Sequence, residues 1–174
     1  MSHHSFKDQP HSAPAIPITP FTPLPMNPPR IAIFPGSFDP YTIGHHSVVR
    51  RILPLFDKLI IGIGINDQKH YSLTEEQRVG RIAQVYAQES RIEVKAYHDL
   101  TIDFARREGA MCIVKGVRNV ADFEYERTQA DINRRLSGIE TILLPAEPGM
   151  DIVSSSMVRE LGKYGKDTTE FTEI

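Results

Sequence analysis

From Arg30 onward, short apolar runs alternate with longer amphipathic ones. Ile31–Phe34 predicts a first strand, closed by Pro35-Gly36, and the stretch from about His45 to Leu53 a helix that Pro54 stops. Leu59–Ile65 is apolar at every position, the pattern of a strand covered by helices on both faces. Thr74, with Gln77 three residues on, fits a capping box and opens a helix reaching about Ala87. Ile92–Tyr97 then predicts a strand, Thr101–Glu108 a short helix ended by Gly109, and Met111–Val114 a fourth strand. Asp122–Leu136 predicts a longer helix in which Asp131 and Arg135 are spaced for an i,i+4 pair. Glu140–Leu144 is a fifth strand, and Ser154-Ser155-Ser156 caps a last helix running to about Gly162. This alternation predicts an α/β fold with a doubly wound, five-stranded parallel sheet. Ligands in such sheets bind beyond the carboxyl ends of the strands.

The first 29 residues break the pattern. Of 13 prolines, eight lie within the first 30 positions, and residues 1–29 hold only two charges, Lys7 and Asp8. Such a segment supports neither helix nor ladder, so 1–29 reads as a disordered, proline-rich tail and 30–174 as one domain. Twenty basic against 22 acidic residues give no electrostatic case for a nucleic-acid or membrane-surface partner. No apolar run approaches the length of a membrane span, and proline interrupts any signal-peptide core. The single Cys112 has no partner for an internal disulfide, and no Cys/His spacing fits structural zinc. The expectation is a cytoplasmic globular protein.

Chemistry-bearing residues collect where the predicted strands end. The first strand runs into Gly36-Ser37-Phe38-Asp39-Pro40-Tyr41-Thr42-Ile43-Gly44-His45. Gly36 permits a close turn, Ser37 offers a hydroxyl, and His45 falls in the first helical turn, where free N–H groups favour an anion. Lys69 follows the second strand, and Lys115-Gly116-Val117-Arg118 ends the fourth. Taken singly, each has a plainer explanation: a surface histidine, a solvated lysine, an arginine capping a strand end, Glu126 paired with Arg127 or Asn133, and serines that are only an N-cap.

Together they resemble a known pattern. Thr42-Ile43-Gly44-His45, preceded by Gly36–Pro40, resembles the (H/T)xGH signature of a nucleotidyltransferase superfamily with a Rossmann-like fold. Lys115–Arg118, the run Asp122-Phe123-Glu124-Tyr125-Glu126 and Ile152–Ser156 narrow the resemblance to the bacterial phosphopantetheine adenylyltransferases, in order over essentially all of Ile31–Phe171. The resemblance implies adenylyl transfer from ATP to 4′-phosphopantetheine, giving 3′-dephospho-coenzyme A and pyrophosphate, with magnesium arriving on ATP and no metal site of the chain's own. It places His45 on the α-phosphate as transition-state stabiliser, with Lys69 as a second catalytic cation. It assigns Ser37, Phe38, His45, Gly116, Val117, Arg118, Glu126, Met150, Asp151, Ile152, Val153, Ser154, Ser155 and Ser156 to ATP, and Ser37, Lys69, Thr101 and Lys115 to the acceptor. It also implies a homohexamer and coenzyme A as a feedback inhibitor. Lys115 departs from the pattern, which has Arg there, and the proline-rich segment has no counterpart in it. A nucleotidyltransferase for another acceptor, or a module that binds adenine nucleotides or coenzyme A without catalysis, remains the alternative.

Overall fold

The computed structural model describes residues 28–174. Except for its last two residues, the segment read as a tail lies outside the described residues. Five strands, β1 (Ile31–Gly36), β2 (Lys58–Gly64), β3 (Ile92–Tyr97), β4 (Cys112–Val117) and β5 (Glu140–Pro145), form one parallel sheet in the order β3-β2-β1-β4-β5. Between and after them run α1 (Ile43–Ile52), α2 (Glu75–Val85), α3 (Thr101–Arg107), α4 (Val120–Ser137), α5 (Ser155–Lys163) and the single turn α6 (Thr169–Thr172). The α/β, doubly wound, five-stranded expectation is met.

Residue alternation along the strands builds two cores. Ala32 and Phe34, Leu59, Ile61 and Ile63, and Cys112 and Val114 share one face with Val48, Val49 and Ile52 of α1 and Ile82 of α2. Ile33, Ile60 and Ile113 share the other with Ile102, Phe104 and Ala105 of α3. The central strands are thus apolar at successive positions because both faces are covered. The first strand lies in the sheet's middle, the next two extend outward to β3, and the path then returns to the other side of β1 as β4.

That return is the switch point. β1 pairs with β2 along its whole length, from Ile31↔Lys58 to Gly36↔Ile63. With β4 it pairs only at Ala32↔Cys112 and Ile33↔Ile113. Beyond Ile33 the two strands part, and a cleft opens at their carboxyl ends.

Element ends differ from the sequence expectation where polar groups satisfy helix termini. Thr42 is the N-cap of α1, so the helix starts at Ile43 and His45 is its third residue; Leu53–Leu55 then forms a separate 3-10 turn holding Pro54. The Asn119 side chain accepts from the Asp122 N–H, which starts α4 at Val120. Within α4, Asp131 meets Arg134 at 3.3 Å and Arg127 at 3.9 Å, rather than the expected Arg135. The terminal turn α6 carries too little apolar periodicity to be read from sequence.

Candidate active site

The loop from Gly36 to Gly44 is built around one strained residue. Phe38 has φ 47°, in the left-handed region that costs a non-glycine residue roughly 1–3 kcal/mol. Its buried ring offsets that cost: it packs on Phe34 (5.3 Å between centroids) and Tyr41 (5.4 Å) and meets the His45 imidazole edge-on at 5.0 Å. Gly36 makes room, since a Cβ there would lie 2.8 Å from the Phe38 ring. The loop backbone is tied down as well, with buried Arg78 of α2 donating to the Ser37 carbonyl at 2.9 Å.

His45 stands over this platform. Its Nδ1 accepts from the Thr42 N–H at 3.0 Å, with the Thr42 hydroxyl at 2.9 Å. A backbone N–H can only donate, so Nδ1 is the acceptor and the ring proton sits on Nε2. Burial, followed by the nearby charges of Arg118 and Lys115, lowers the pKa of His45 from 6.5 to about 4. At neutral pH the side chain is therefore a neutral, oriented donor and not a base awaiting a proton.

Cations converge on the same cleft, which encloses about 550 Å³. Lys115 on β4 pairs with Glu126 of α4 at 3.2 Å, and Arg118 pairs with Asp122 at 2.7 Å. Arg159 of α5 also lines the cleft; it donates to the Asp39 carbonyl and, at 3.1 Å, to the Ser156 hydroxyl. The buried Asp39 carboxylate accepts from the Ser72 and Leu73 N–H groups at 2.8 and 2.9 Å. It anchors the loop that brings Lys69, His70 and Tyr71 to the cleft wall. Each serine at the start of α5 has a separate partner: Ser154 caps the Met157 N–H, Ser155 donates to the Pro40 carbonyl at 2.7 Å, and Ser156 receives Arg159. Lys69, Lys115, Arg118 and Arg159 face a site whose carboxylates are already engaged, an environment suited to a polyphosphate.

A cytidylyltransferase-like family model matches residues 33–161. A phosphopantetheine adenylyltransferase of Phocaeicola vulgatus is 56% identical over 142 residues, 82% of this chain and 94% of the relative; one of Bacteroides fragilis is 57% identical, covering 82% and 95%. The chain belongs to the phosphopantetheine adenylyltransferase family. Solved structures agree at the level of fold. A bifunctional NMN adenylyltransferase/ADP ribose pyrophosphatase of Francisella tularensis, complexed with AMP and manganese, superposes with a TM-score of 0.63 at 16% identity, covering 83% of this chain and 44% of that longer one. A nicotinate-nucleotide adenylyltransferase assigned in Vibrio parahaemolyticus gives 0.57 at 18% identity, covering 83% and 94%.

Of the residues that the family pattern marks, Ser37, Phe38, His45, Lys69, Lys115, Gly116, Val117, Arg118, Glu126, Met150, Val153 and the three serines all line the cleft. Asp151 and Ile152 do not: they sit exposed in the turn before α5, where Val153 turns inward instead. Thr101 lies in an adjoining cavity of about 300 Å³, bonded to the Tyr97 hydroxyl at 2.9 Å; the two cavities share Pro35, Lys115 and Glu126. Glu126 meets Lys115, neither Arg127 nor Asn133. Sequence reasoning gave no role to Asp39, Thr42, Asp122 or Arg159. The first two lay inside the quoted motif, and Arg159 follows Ser155 by four residues, one helical turn, which was the available signal.

Proposed function

We propose that the chain transfers the adenylyl group of ATP to 4′-phosphopantetheine, giving 3′-dephospho-coenzyme A and pyrophosphate, and that the cleft between β1 and β4 is where it does so. The observation that carries this reading is the neutral His45 donor set among four cations in that cleft. The attacking phosphate oxygen is already ionised near neutral pH, so no general base is needed. A bond forms from that oxygen to the α-phosphorus as the bond to the β-phosphate bridge breaks, and the electron pair leaves on pyrophosphate. Catalysis is then positioning together with stabilisation of charge. His45 Nε2–H donates to an α-phosphate oxygen, aided by the N-terminus of α1. Arg118 and Lys69 hold the leaving phosphates, and Lys115 holds the acceptor phosphate where its pocket meets the Thr101 cavity. The serine segment and Gly116–Val117 complete the nucleotide seat.

Among the described residues no group of three or more His, Cys, Asp or Glu forms a metal seat, and Asp39, Asp122 and Glu126 are each engaged within the protein. Magnesium is proposed to enter with the triphosphate, as part of the substrate. A cytoplasmic location is proposed; among the described residues no helix is long and apolar enough to cross a membrane. A homohexamer is the assembly proposed. In its support, α4 leaves Tyr125, Ile132 and Leu136 exposed along one face, an apolar stripe that a second copy of the chain would cover. Light scattering tests the assembly. Coenzyme A, built from the product, is proposed as a feedback inhibitor competing for the same cleft.

Pyrophosphate release from ATP, measured with 4′-phosphopantetheine, nicotinamide mononucleotide and glycerol 3-phosphate in parallel, tests the reaction. Release with phosphopantetheine alone is expected. Release with another acceptor only would reassign the substrate, and release with none would leave a binding module.

A further inference from the structure

The β1–α1 loop holds a side chain that the transfer reaction leaves unused. Tyr41 is buried, and its ring stacks on the His45 imidazole with centroids 5.3 Å apart and planes 27° apart. The hydrogen bond from Thr42 fixes one atom of the imidazole, Nδ1, and Phe38 meets the ring only edge-on, which leaves a tilt about Nδ1 to be restrained on the open face. A stacked aromatic face removes that tilt. Tyr41 is itself secured from a distance: its hydroxyl lies 2.7 Å from that of Tyr86, at the end of α2. The Tyr86 hydroxyl lies 2.8 Å from Nδ1 of His46, whose ring stacks on Tyr86 at 5.7 Å. The three groups form a continuous hydrogen-bonded chain in which either tyrosine hydroxyl can donate to the other and the role of His46 Nδ1 follows its tautomer. Burial raises both phenols, Tyr86 to about 12, so neither loses its proton near neutral pH.

We propose that Tyr41 is a positioning residue for adenylyl transfer: stacked on His45 and anchored through Tyr86 to His46, it holds the imidazole so that Nε2–H points into the cleft. The chain Tyr41–Tyr86–His46 joins the motif loop, α1 and the end of α2, so the orientation of one catalytic ring is set by residues 45 positions apart in sequence. This inference rests on the reading of His45 as the donor to the α-phosphate.

Steady-state kinetics on five variants tests it. Tyr86→Phe keeps the ring and removes both hydrogen bonds; it should lower kcat by about threefold to tenfold with both KM values within about twofold, since small misplacements of a reacting group act on turnover. Tyr41→Phe should do the same, and the double variant should be no worse than either single one, because both cut one chain. Tyr41→Leu removes the stack and should lower kcat by about 10- to 30-fold. In nitrogen-15 spectra of the imidazoles, the His45 signal of the Nε2–H tautomer should shift or broaden in the tyrosine variants. His45→Gln separates the two readings. If it is crippled while Tyr86→Phe and Tyr41→Leu keep wild-type kcat and an unchanged His45 spectrum, the positioning role is overturned and the donor role stands. If His45→Gln retains wild-type turnover, the donor role falls and the inference with it. Should Tyr41→Leu fail to fold, the nearly isosteric Tyr86→Phe carries the test alone, and additive losses in the double variant would also overturn the proposal.

Discussion

Between pH 6.5 and about 4 the unfolded chain binds a proton at His45 that the folded chain refuses. In that window the unfolded state holds more protons, so stability falls as pH falls, and the full contribution is present only above 6.5. A displacement of this size corresponds to at most about 3 kcal/mol. His46, lowered in the same direction, adds to the slope. Urea unfolding of wild type and His45→Gln across pH 4–7 should show a shallower loss in the variant, because Gln has no proton to take up; identical slopes would contradict the burial of a neutral imidazole. His45→Ala should lower kcat by about 10²–10³ while ATP affinity changes much less, the loss typical of one preorganised donor. Lys115 answers to different chemistry. It lines both the main cleft and the Thr101 cavity, and it shares its charge with Glu126. Lys115→Ala should raise the KM for phosphopantetheine by the equivalent of about 1.5–3 kcal/mol, the range for a hydrogen bond to a charged group, with the KM for ATP changed much less. An unchanged acceptor KM would remove Lys115 from the acceptor site.

At the scale of elements, the motif loop is a packed object. Adding a methyl group at Gly36 places it 2.8 Å from the Phe38 ring, and that ring cannot retreat without disturbing Tyr41 and His45. Gly36→Ala should therefore cost about 1–3 kcal/mol of stability, as overpacking does, and should lower kcat as well. Denaturant midpoints and turnover together check this; a loss in one without the other would separate the platform from the histidine. The same loop marks the boundary of what sequence conveys. Strand identities were legible because continuous apolar runs such as Leu59–Ile63 have one physical explanation, a sheet buried on both faces. His45, Ser37 and the serine cap were legible because motif spacing put them at strand and helix ends. The engagement of Asp39 with Ser72 and Leu73, or of Arg159 with Asp39 and Ser156, was not. The Asp39 contacts join segments more than 30 residues apart, and no local periodicity encodes which distant backbone group a buried carboxylate will meet. Tyr41 was quoted within the motif yet passed over, since stacking depends on a ring direction that spacing does not specify.

Across the whole molecule, the sheet has one weak seam. β1 and β2 share a full ladder, whereas β1 and β4 are joined only at Ala32↔Cys112 and Ile33↔Ile113. His45 and Lys69 are carried by the half containing β1, β2 and β3; Lys115 and Arg118 are carried by the half containing β4 and β5. Any anion gripped by both sets straddles the seam. Mechanically, an empty seam is a compliant joint, and a bound triphosphate is a brace across it. Amide hydrogen exchange should report this directly: ATP at 100 times its dissociation constant stabilises the native state by about 2.7 kcal/mol. The added protection should be greatest at the carboxyl-terminal ends of β1 and β4 and least along β3, which lies on the far side of an already continuous ladder. Uniform protection over all five strands would mean that the sheet opens as one piece. On the proposed reading, a nucleotide held from both sides would do for the two halves of the sheet what the missing rungs between Phe34 and Val114 do not: it would make them stiff with respect to one another at the moment the reacting phosphates must be held in line.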